Sequence, residues 1–207
     1  MLAVLVFIVA FGVGKWTQSV SSSSCAFEPS MYPLQDRSFA VAVFGRNNGA
    51  YLEKVIDSIF SQRYPNFRVI YVDDASDDGS FELAKMLLQG RGTVLRSDAP
   101  LGREIAFAKI RSECKENEIL VFLEGEEWFA HEWVLARLNQ YYAHPDLKIA
   151  SGSGRVFPTF AKPFERGLLT CYASMLEQGS IEDLLENQEV KHIAEIPETL
   201  VIRRGAE

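Results

Sequence analysis

Two groups of acidic side chains each follow directly after a run of apolar residues. Asp73 and Asp74 end one such run, and Glu124 and Glu126 end another. Both runs have the composition of buried strands, so the carboxylates fall at strand ends. Ligands of open α/β sheets bind beyond the carboxyl ends of the strands. Carboxylates are the ligands that hard divalent cations prefer, so neighbouring parallel strands would place both groups at one divalent-metal site.

Each group also has an interpretation that needs no ligand. Asp77 and Asp78 follow closely after the first pair, and Asp78 or Ser80 is suited to cap a helix that begins there. Capping is favoured for Asp77 and Asp78, whereas repulsion among four carboxylates favours a loop donor, a ligand or a metal beside the first pair. Glu127 can lie in the acid-rich first turn of a helix, where the helix dipole favours negative charge.

The elements that position these side chains alternate along the first two thirds of the chain. Apolar runs typical of strands in a parallel sheet occupy residues 39–44, 67–72, 93–95 and 119–123. Helical patterns follow at residues 52–60, at 80–89, from the loop at Gly102 to about residue 115, and at 131–142. Strand, helix and strand in this order predict a right-handed βαβ unit, with Asn48 as the cap of the first helix.

The pattern is weaker beyond residue 145. It predicts strands at residues 148–150, 156–157 and 199–202, a helix at 168–178 and a helical start at 181–185. Cys114 falls in the helical pattern that ends near residue 115, and Cys171 falls in the one at 168–178, so both are assigned to packing. Together with Cys25 they have no metal-ligand spacing, which favours a reducing compartment or plain core packing.

Length and charge limit the classes of function. The 207 residues suffice for one sizeable α/β domain. A net charge of −7, without a dense cluster of lysine and arginine, argues against nucleic acid as a partner. An anionic small ligand is compatible with this charge if a cation or backbone N–H groups offset the acidic loops.

The N-terminal segment divides the chain into residues 1–38, an apolar stretch with a serine- and proline-containing linker, and a domain at residues 39–207. Residues 1–14 carry no charge and are shorter than the roughly 17–25 apolar residues of a membrane span. A membrane anchor is favoured because Lys15 follows directly, which would keep the domain in the cytoplasm. A cleaved signal of a secreted protein and a buried strand are the alternatives.

Residues 51–64 followed by residues 72–80 closely resemble the opening of family-two glycosyltransferases with the GT-A fold. The resemblance extends over about residues 39–203. It implies a Rossmann-like three-layer α/β sandwich around a mostly parallel sheet. It also implies transfer of a sugar from a nucleotide-diphosphate donor to an acceptor hydroxyl, usually with inversion and with bound Mg²⁺ or Mn²⁺. UDP-sugars are the family's commonest donors, and the acceptor can be a glycan, a lipid or a protein.

The resemblance assigns roles to particular residues. The strand-end aspartates of the family contact the nucleobase and ribose, and a glycine loop lies near the donor. The matching donor-binding positions are Asn47, Asn48, Asp73, Asp74 and Gly102.

The metal and the base are assigned in the same way. Glu124-Gly125-Glu126 matches the family's Asp-X-Asp motif, so Glu124 is placed at the nucleotide sugar and Glu126 at the metal. Glu182 and Asp183 match the acidic pair near the acceptor, with Asp183 as general base.

The chain departs from the family at two of these places. Glutamates replace both acids of the Asp-X-Asp motif, and each adds a methylene that shifts the carboxylate. The family's Arg-Asn pair is absent after Gly102, where Arg103 and Glu104 follow. The alternative function is therefore a catalytically inactive domain that binds nucleotide sugars or serves as a scaffold.

Overall fold

The structure of the chain is a computed structural model that describes residues 35–100, 102–145, 147, 149–157, 163–174 and 194–204. Its elements are β1 (Phe39–Gly45), α1 (Gly49–Phe60), β2 (Phe67–Asp73), α2 (Ser80–Leu88), β3 (Gly92–Arg96), α3 (Gly102–Glu113), β4 (Ile119–Glu124), β5 (Glu127–Phe129), α4 (Val134–Tyr141), β6 (Ile149–Phe157), β7 (Pro163–Tyr172) and β8 (Ala194–Arg204). In these ranges no helix combines the length and apolarity that a membrane crossing requires. The predicted anchor at residues 1–14 lies outside the described residues.

The eight strands of the described ranges join one mixed sheet in the order β3-β2-β1-β4-β7-β6-β8-β5. The first four strands are parallel, which confirms the prediction of βαβ units. β7 runs antiparallel to β4 and β6, β8 runs parallel to β6, and β5 closes the far edge antiparallel to β8. The predicted α/β class with a mostly parallel central sheet is confirmed.

The central strands are apolar on both faces because helices cover both. Val41 and Val43 of β1 point into a core that contains the apolar faces of α1, α2 and α4. Ala40 and Ala42 point into a second core with Phe107 of α3. The alternation along a single strand therefore produces the predicted three-layer sandwich.

The C-terminal part differs from the prediction in two ways. The helix predicted at residues 168–178 is wrong for its first half, which belongs to β7. Thr170 and Cys171 are buried there, and β7 pairs with both β4 and β6, so tertiary pairing overrides a weak helical pattern. The two short strands predicted near 149 and 157 are one strand, β6, whose register shifts between Gly152 and Gly154 hide its continuity.

The strand order creates a crevice. From β1 the chain proceeds through α1 to β2 on one side, whereas from β3 it returns through α3 to β4 on the other side of β1. The carboxyl ends of β1 and β4 are therefore the switch point of the sheet, where α/β proteins bind ligands.

Candidate active site

A pocket of about 320 Å³ lies at this switch point. Its wall is formed by the ends of β1, β4 and β8. The lining residues are Phe44, Gly45, Arg46, Asn48, Glu124, Gly125, Glu126 and Arg203. The pocket therefore contains the whole segment that was matched to the Asp-X-Asp motif.

Asn48 connects three strand ends beneath the pocket. Its Nδ2 donates a hydrogen bond to the carbonyl of Gly125 at 3.0 Å, and its Oδ1 accepts one from the hydroxyl of Tyr71 at 2.8 Å. Burial raises the pKa of Tyr71, so the phenol is a neutral donor. A Cβ on Gly45 or on Gly125 would lie 2.7 Å from Asn48 Cγ, so both glycines are needed to admit this side chain. Asn48 occupies the predicted N-cap position of α1, but its side chain makes no hydrogen bond to that helix.

Asp78 provides the cap instead. Its Oδ2 accepts a hydrogen bond from the N–H of Gly49 at 3.1 Å, and its Oδ1 accepts one from the N–H of Ser80 at 2.9 Å. One carboxylate thus serves the first turns of both α1 and α2. Desolvation opposes ionisation, but the hydrogen bond from the Ser80 hydroxyl and these two backbone hydrogen bonds prevail and hold the pKa of Asp78 below its ordinary value. The capping interpretation of Asp78 is confirmed.

Asp73 lies beneath the loop that follows β2 and is 0 % exposed. Its Oδ2 accepts a hydrogen bond from the N–H of Ser76 at 3.0 Å and lies 3.7 Å from Nε of Arg96. Its Oδ1 is buried without a hydrogen-bond partner among the described residues. Buried polar atoms are usually paired, so this oxygen is a candidate acceptor for a ligand donor.

The other predicted donor residues surround Asp73. Asp74 is buried, and its Oδ2 accepts a hydrogen bond from the N–H of Gly102 at 3.3 Å. Asn47 has a left-handed backbone, with φ of 54°, and its Oδ1 accepts the N–H of Asp77 at 3.0 Å. The structure therefore brings Asn47, Asp73, Asp74 and Gly102 together at one edge of the sheet. Their roles toward a nucleotide stay predictions.

The two acidic groups do not form one cation site. Asp73 is in register with Gly45 of β1, and Glu124 is in register with Phe44 on the other side of the same strand. β1 separates the groups by two strand spacings, about 10 Å. Within the described ranges no three His, Cys, Asp or Glu side chains are placed to hold a metal ion. The prediction that the groups meet at one metal site is wrong, because β2 and β4 are not neighbours.

Arg203 is the pocket residue that the sequence analysis missed. It stands opposite Glu127 in the ladder between β5 and β8, and its Nε lies 2.8 Å from Glu127 Oε1. Glu127 Oε2 accepts the N–H of Glu124 at 2.9 Å. Burial raises the pKa of Glu127, which is 3 % exposed, while the guanidinium and this N–H favour its ionised form. Glu127 begins a strand and not a helix turn, so that alternative is wrong.

Arg203 and Arg204 also pair with the two glutamates of the matched motif. Nη2 of Arg203 lies 3.2 Å from Glu124 Oε2, and Nη1 of Arg204 lies 3.8 Å from Glu126 Oε1. The two carboxylates are 44 % and 47 % exposed. The sequence shows a doublet of arginines at the end of an apolar run, but it does not indicate which acidic residues they pair with.

The residues at the pocket fit a divalent cation that is bound partly by the protein and partly by a substrate. Glu124 and Glu126 offer hard oxygen atoms that reach solvent at the pocket. Mg²⁺ is commonly held by one or two carboxylates together with the phosphates of a substrate, and not by a closed protein cage. A cation shared with a bound diphosphate therefore fits this donor set. Glu182 and Asp183 lie outside the described residues.

Comparison with known proteins agrees with this geometry. The profile of Glycosyl transferase family 2 matches residues 38–179. Glycosyltransferase GlyA of Streptococcus pneumoniae serotype 4 is 27 % identical over 164 residues, which are 78 % of this chain and 23 % of GlyA. The chain thus spans about a quarter of that relative.

Solved structures with a similar fold include a mannosyltransferase. Mannosyltransferase PcManGT from Pyrobaculum calidifontis, in complex with GDP-Man and Mn²⁺, superposes with a TM-score of 0.67 at 17 % identity, covering 86 % of this chain and 60 % of that one. Residues 1–349 of TarS from S. aureus, in complex with UDP-GlcNAc, give a TM-score of 0.68 at 13 % identity, covering 82 % and 59 %. The fold is that of the GT-A glycosyltransferases, and because the family profile spans well over half of the sequence, the chain belongs to glycosyltransferase family 2.

Proposed function

We propose that the chain transfers a sugar from a nucleotide-diphosphate donor to an acceptor hydroxyl, with inversion and with a divalent cation. The observation that carries this proposal is the pocket at the switch point, which has Glu124, Glu126 and Arg203 in its wall. Solved structures that resemble this chain include a complex with GDP-Man and Mn²⁺ and a complex with UDP-GlcNAc. Nucleotide-sugar binding is therefore the activity expected of this edge of the sheet.

The nucleoside half of the donor is assigned to the loops after β1 and β2. Asp73 has a buried oxygen without a partner among the described residues, and a nucleobase N–H would satisfy it. Asp73 is 0 % exposed, so a nucleobase reaches this oxygen only if the residues around Asp73 move when the donor binds.

The diphosphate half is assigned to the pocket. Glu126, with Glu124 beside it, would hold Mg²⁺ or Mn²⁺ together with the phosphates. When bound, the cation offsets the charge that develops on the leaving diphosphate. Asn48 fixes the backbone of Gly125 between the two glutamates, so their Cα positions are set before any ligand binds.

The reaction needs a base on the acceptor side. We assign it to Asp183, with Glu182 beside it, on the family resemblance alone. The carboxylate takes the proton of the acceptor hydroxyl as its oxygen attacks the anomeric carbon. The bond from that carbon to the diphosphate oxygen breaks with its electron pair on the diphosphate, so attack from the opposite face inverts the centre.

A second candidate function is donor binding without transfer. It is favoured by the ion pairs that already join Glu124 to Arg203 and Glu126 to Arg204. A cation must compete with both guanidiniums for these oxygens. Clear nucleotide binding without donor hydrolysis or transfer to any acceptor would support this candidate over the enzyme.

Titration calorimetry of the full chain tests the proposal. UDP, GDP and their sugars are titrated with Mn²⁺ and then with EDTA, on the wild type and on Glu126→Gln. We expect binding that Mn²⁺ strengthens by about tenfold, and loss of that metal effect in the variant. An Asp57→Asn variant, changed on the exposed face of α1, is the matched control. Absence of binding by every nucleotide would exclude the proposed function.

We further propose that residues 1–14 hold the protein at a membrane with its domain in the cytoplasm. Fractionation of cells that express the full chain, or a chain that begins at Lys15, measures this directly. Equal distribution of the two between membrane and soluble fractions would contradict the proposal.

A further inference from the structure

We infer that Arg203 binds the diphosphate of the donor directly, by exchanging Glu124 for a phosphate oxygen. The inference rests on the proposed function and adds a residue to it. Arg203 lies in the wall of the same pocket as Glu124 and Glu126, and its side chain is partly exposed there. It comes from the end of β8, far along the chain from the strand ends that the donor motif occupies.

One side of the guanidinium is held in place. Nε and Nη2 of Arg203 both contact Oε1 of Glu127, at 2.8 and 2.5 Å. Glu127 is buried, and its other oxygen accepts the N–H of Glu124. Since an unpaired buried carboxylate is strongly disfavoured, this pair stays closed when a ligand enters. The guanidinium is therefore positioned at the pocket before binding.

The contact with Glu124 is of a different kind. It joins Nη2 to a single carboxylate oxygen at 3.2 Å, and the Glu124 side chain is 44 % exposed. Ion pairs between solvated groups contribute little, so this one exchanges readily. A diphosphate carries more negative charge than a carboxylate, and a guanidinium is suited to bind it. Donor binding would then release Glu124 from Arg203 and leave its carboxylate to face the cation or the sugar.

The exchange has a measurable consequence. Because part of the charge of the diphosphate is offset by the protein, a nucleoside diphosphate should bind measurably in EDTA and more tightly than its nucleoside. A metal would add to this affinity without being the whole source of it. The preference for diphosphate over nucleoside in EDTA is therefore the property assigned to Arg203.

The test is titration calorimetry of the full chain in EDTA with UDP and uridine, and with GDP and guanosine. Arg203 is changed together with its partner, as R203Q/E127Q, so that no buried charge is left unpaired and two amides can still hydrogen-bond. The control is the same paired change at the exposed ion pair between Arg63 and Glu132, which is 2.9 Å long. This pair lies just beyond the end of α1, away from the carboxyl ends of the parallel strands. Thermal unfolding verifies that each variant is folded.

We expect R203Q/E127Q to lower the affinity for the diphosphate by about tenfold or more and to leave nucleoside affinity unchanged. Glu124→Gln, which removes the competing charge, should raise diphosphate affinity in EDTA about twofold to threefold. If Arg203 had only a structural role, the ratio of diphosphate affinity to nucleoside affinity would not change for either nucleotide. An unchanged ratio in R203Q/E127Q therefore overturns the inference. If the double variant does not fold, Arg203→Lys takes its place, with a smaller loss confined to the diphosphate. Absence of wild-type binding even with Mn²⁺ overturns the proposed function as well, and so separates the two failures.

Discussion

The acidic groups that follow β2 and β4 are satisfied by different partners. After β2, backbone N–H groups of the same loop and of three helix starts, those of α1, α2 and α3, donate to Asp73, Asp74 and Asp78. After β4, side chains from β8 provide most of the compensation, through Arg203 and Arg204. The first arrangement organises a loop, whereas the second places exposed carboxylates and guanidiniums side by side in a pocket.

The different partners indicate different roles for the two acidic strand ends. Carboxylates bonded to backbone N–H groups have a fixed task and little freedom to bind a cation. Carboxylates that are themselves exposed and pair with partly exposed guanidiniums can exchange partners, because solvated ion pairs are weak. We therefore expect a charged ligand to bind at the β4 end, with the loops that follow β2 arranged around it.

The largest expected effect is on the pair between the buried Glu127 and the partly exposed Arg203 at the β4 end. Arg203→Ala leaves Glu127 buried without its guanidinium, so we expect the free energy of unfolding to fall by about 3–5 kcal/mol. Urea denaturation followed by circular dichroism measures the change. R203Q/E127Q should recover most of the loss, because neither partner then carries an uncompensated charge. A loss below about 1 kcal/mol for Arg203→Ala would show that the ion pair is not what holds this strand end.

Prediction from the sequence was accurate where the structure depends on local pattern. β1 to β4, α1 to α3 and the cap at Asp78 follow from apolar runs and from a carboxylate placed two residues before a helix start. It failed where distant segments meet. Arg203 lies 76 positions from Glu127, and nothing near either residue indicates the other. The helix predicted over part of β7 failed for the same reason, because pairing with β4 and β6 decides that segment.

The local sequence pattern also does not predict where the side chain of Asn48 points. An asparagine before a helix is a good cap, but the side chain turns away because Gly45 and Gly125 leave room for it between two strand ends. That room depends on two glycines 80 positions apart in the sequence, 45 and 125, which become neighbours only when β4 pairs with β1.

A smaller effect is expected where this side chain connects the two strand ends. Gly125→Ala places a Cβ 2.7 Å from Asn48 Cγ, so we expect a loss of about 1–3 kcal/mol in the free energy of unfolding. The β4 segment should also shift, which would weaken nucleotide binding in the calorimetric assay.

The double-mutant cycle with Asn48→Ala identifies the cause. In the Asn48→Ala background the added cost of Gly125→Ala should fall below about 0.5 kcal/mol, since the colliding amide is gone. Equal costs in the two backgrounds would mean that Gly125 is required for its own backbone conformation and not for the space occupied by Asn48.

The smallest effect is expected at the β2 end, where Asp78 caps α1 and α2. Asp78→Ala removes the acceptor for the N–H groups of Gly49 and Ser80, so we expect a loss of about 1–2 kcal/mol at neutral pH. The folded-state pKa of Asp78 is lowered, so its contribution is full above the ordinary aspartate pKa of about 4 and disappears as the pH falls through the folded-state value. Urea denaturation at pH 7 and at lower pH should therefore show the wild type and the variant converging in acid.

Asp77→Ala, at the exposed neighbouring position, should stay within about 0.5 kcal/mol of the wild type at both pH values. A difference between wild type and Asp78→Ala that persists undiminished in acid would show that the carboxylate acts through something other than its ionised hydrogen bonds.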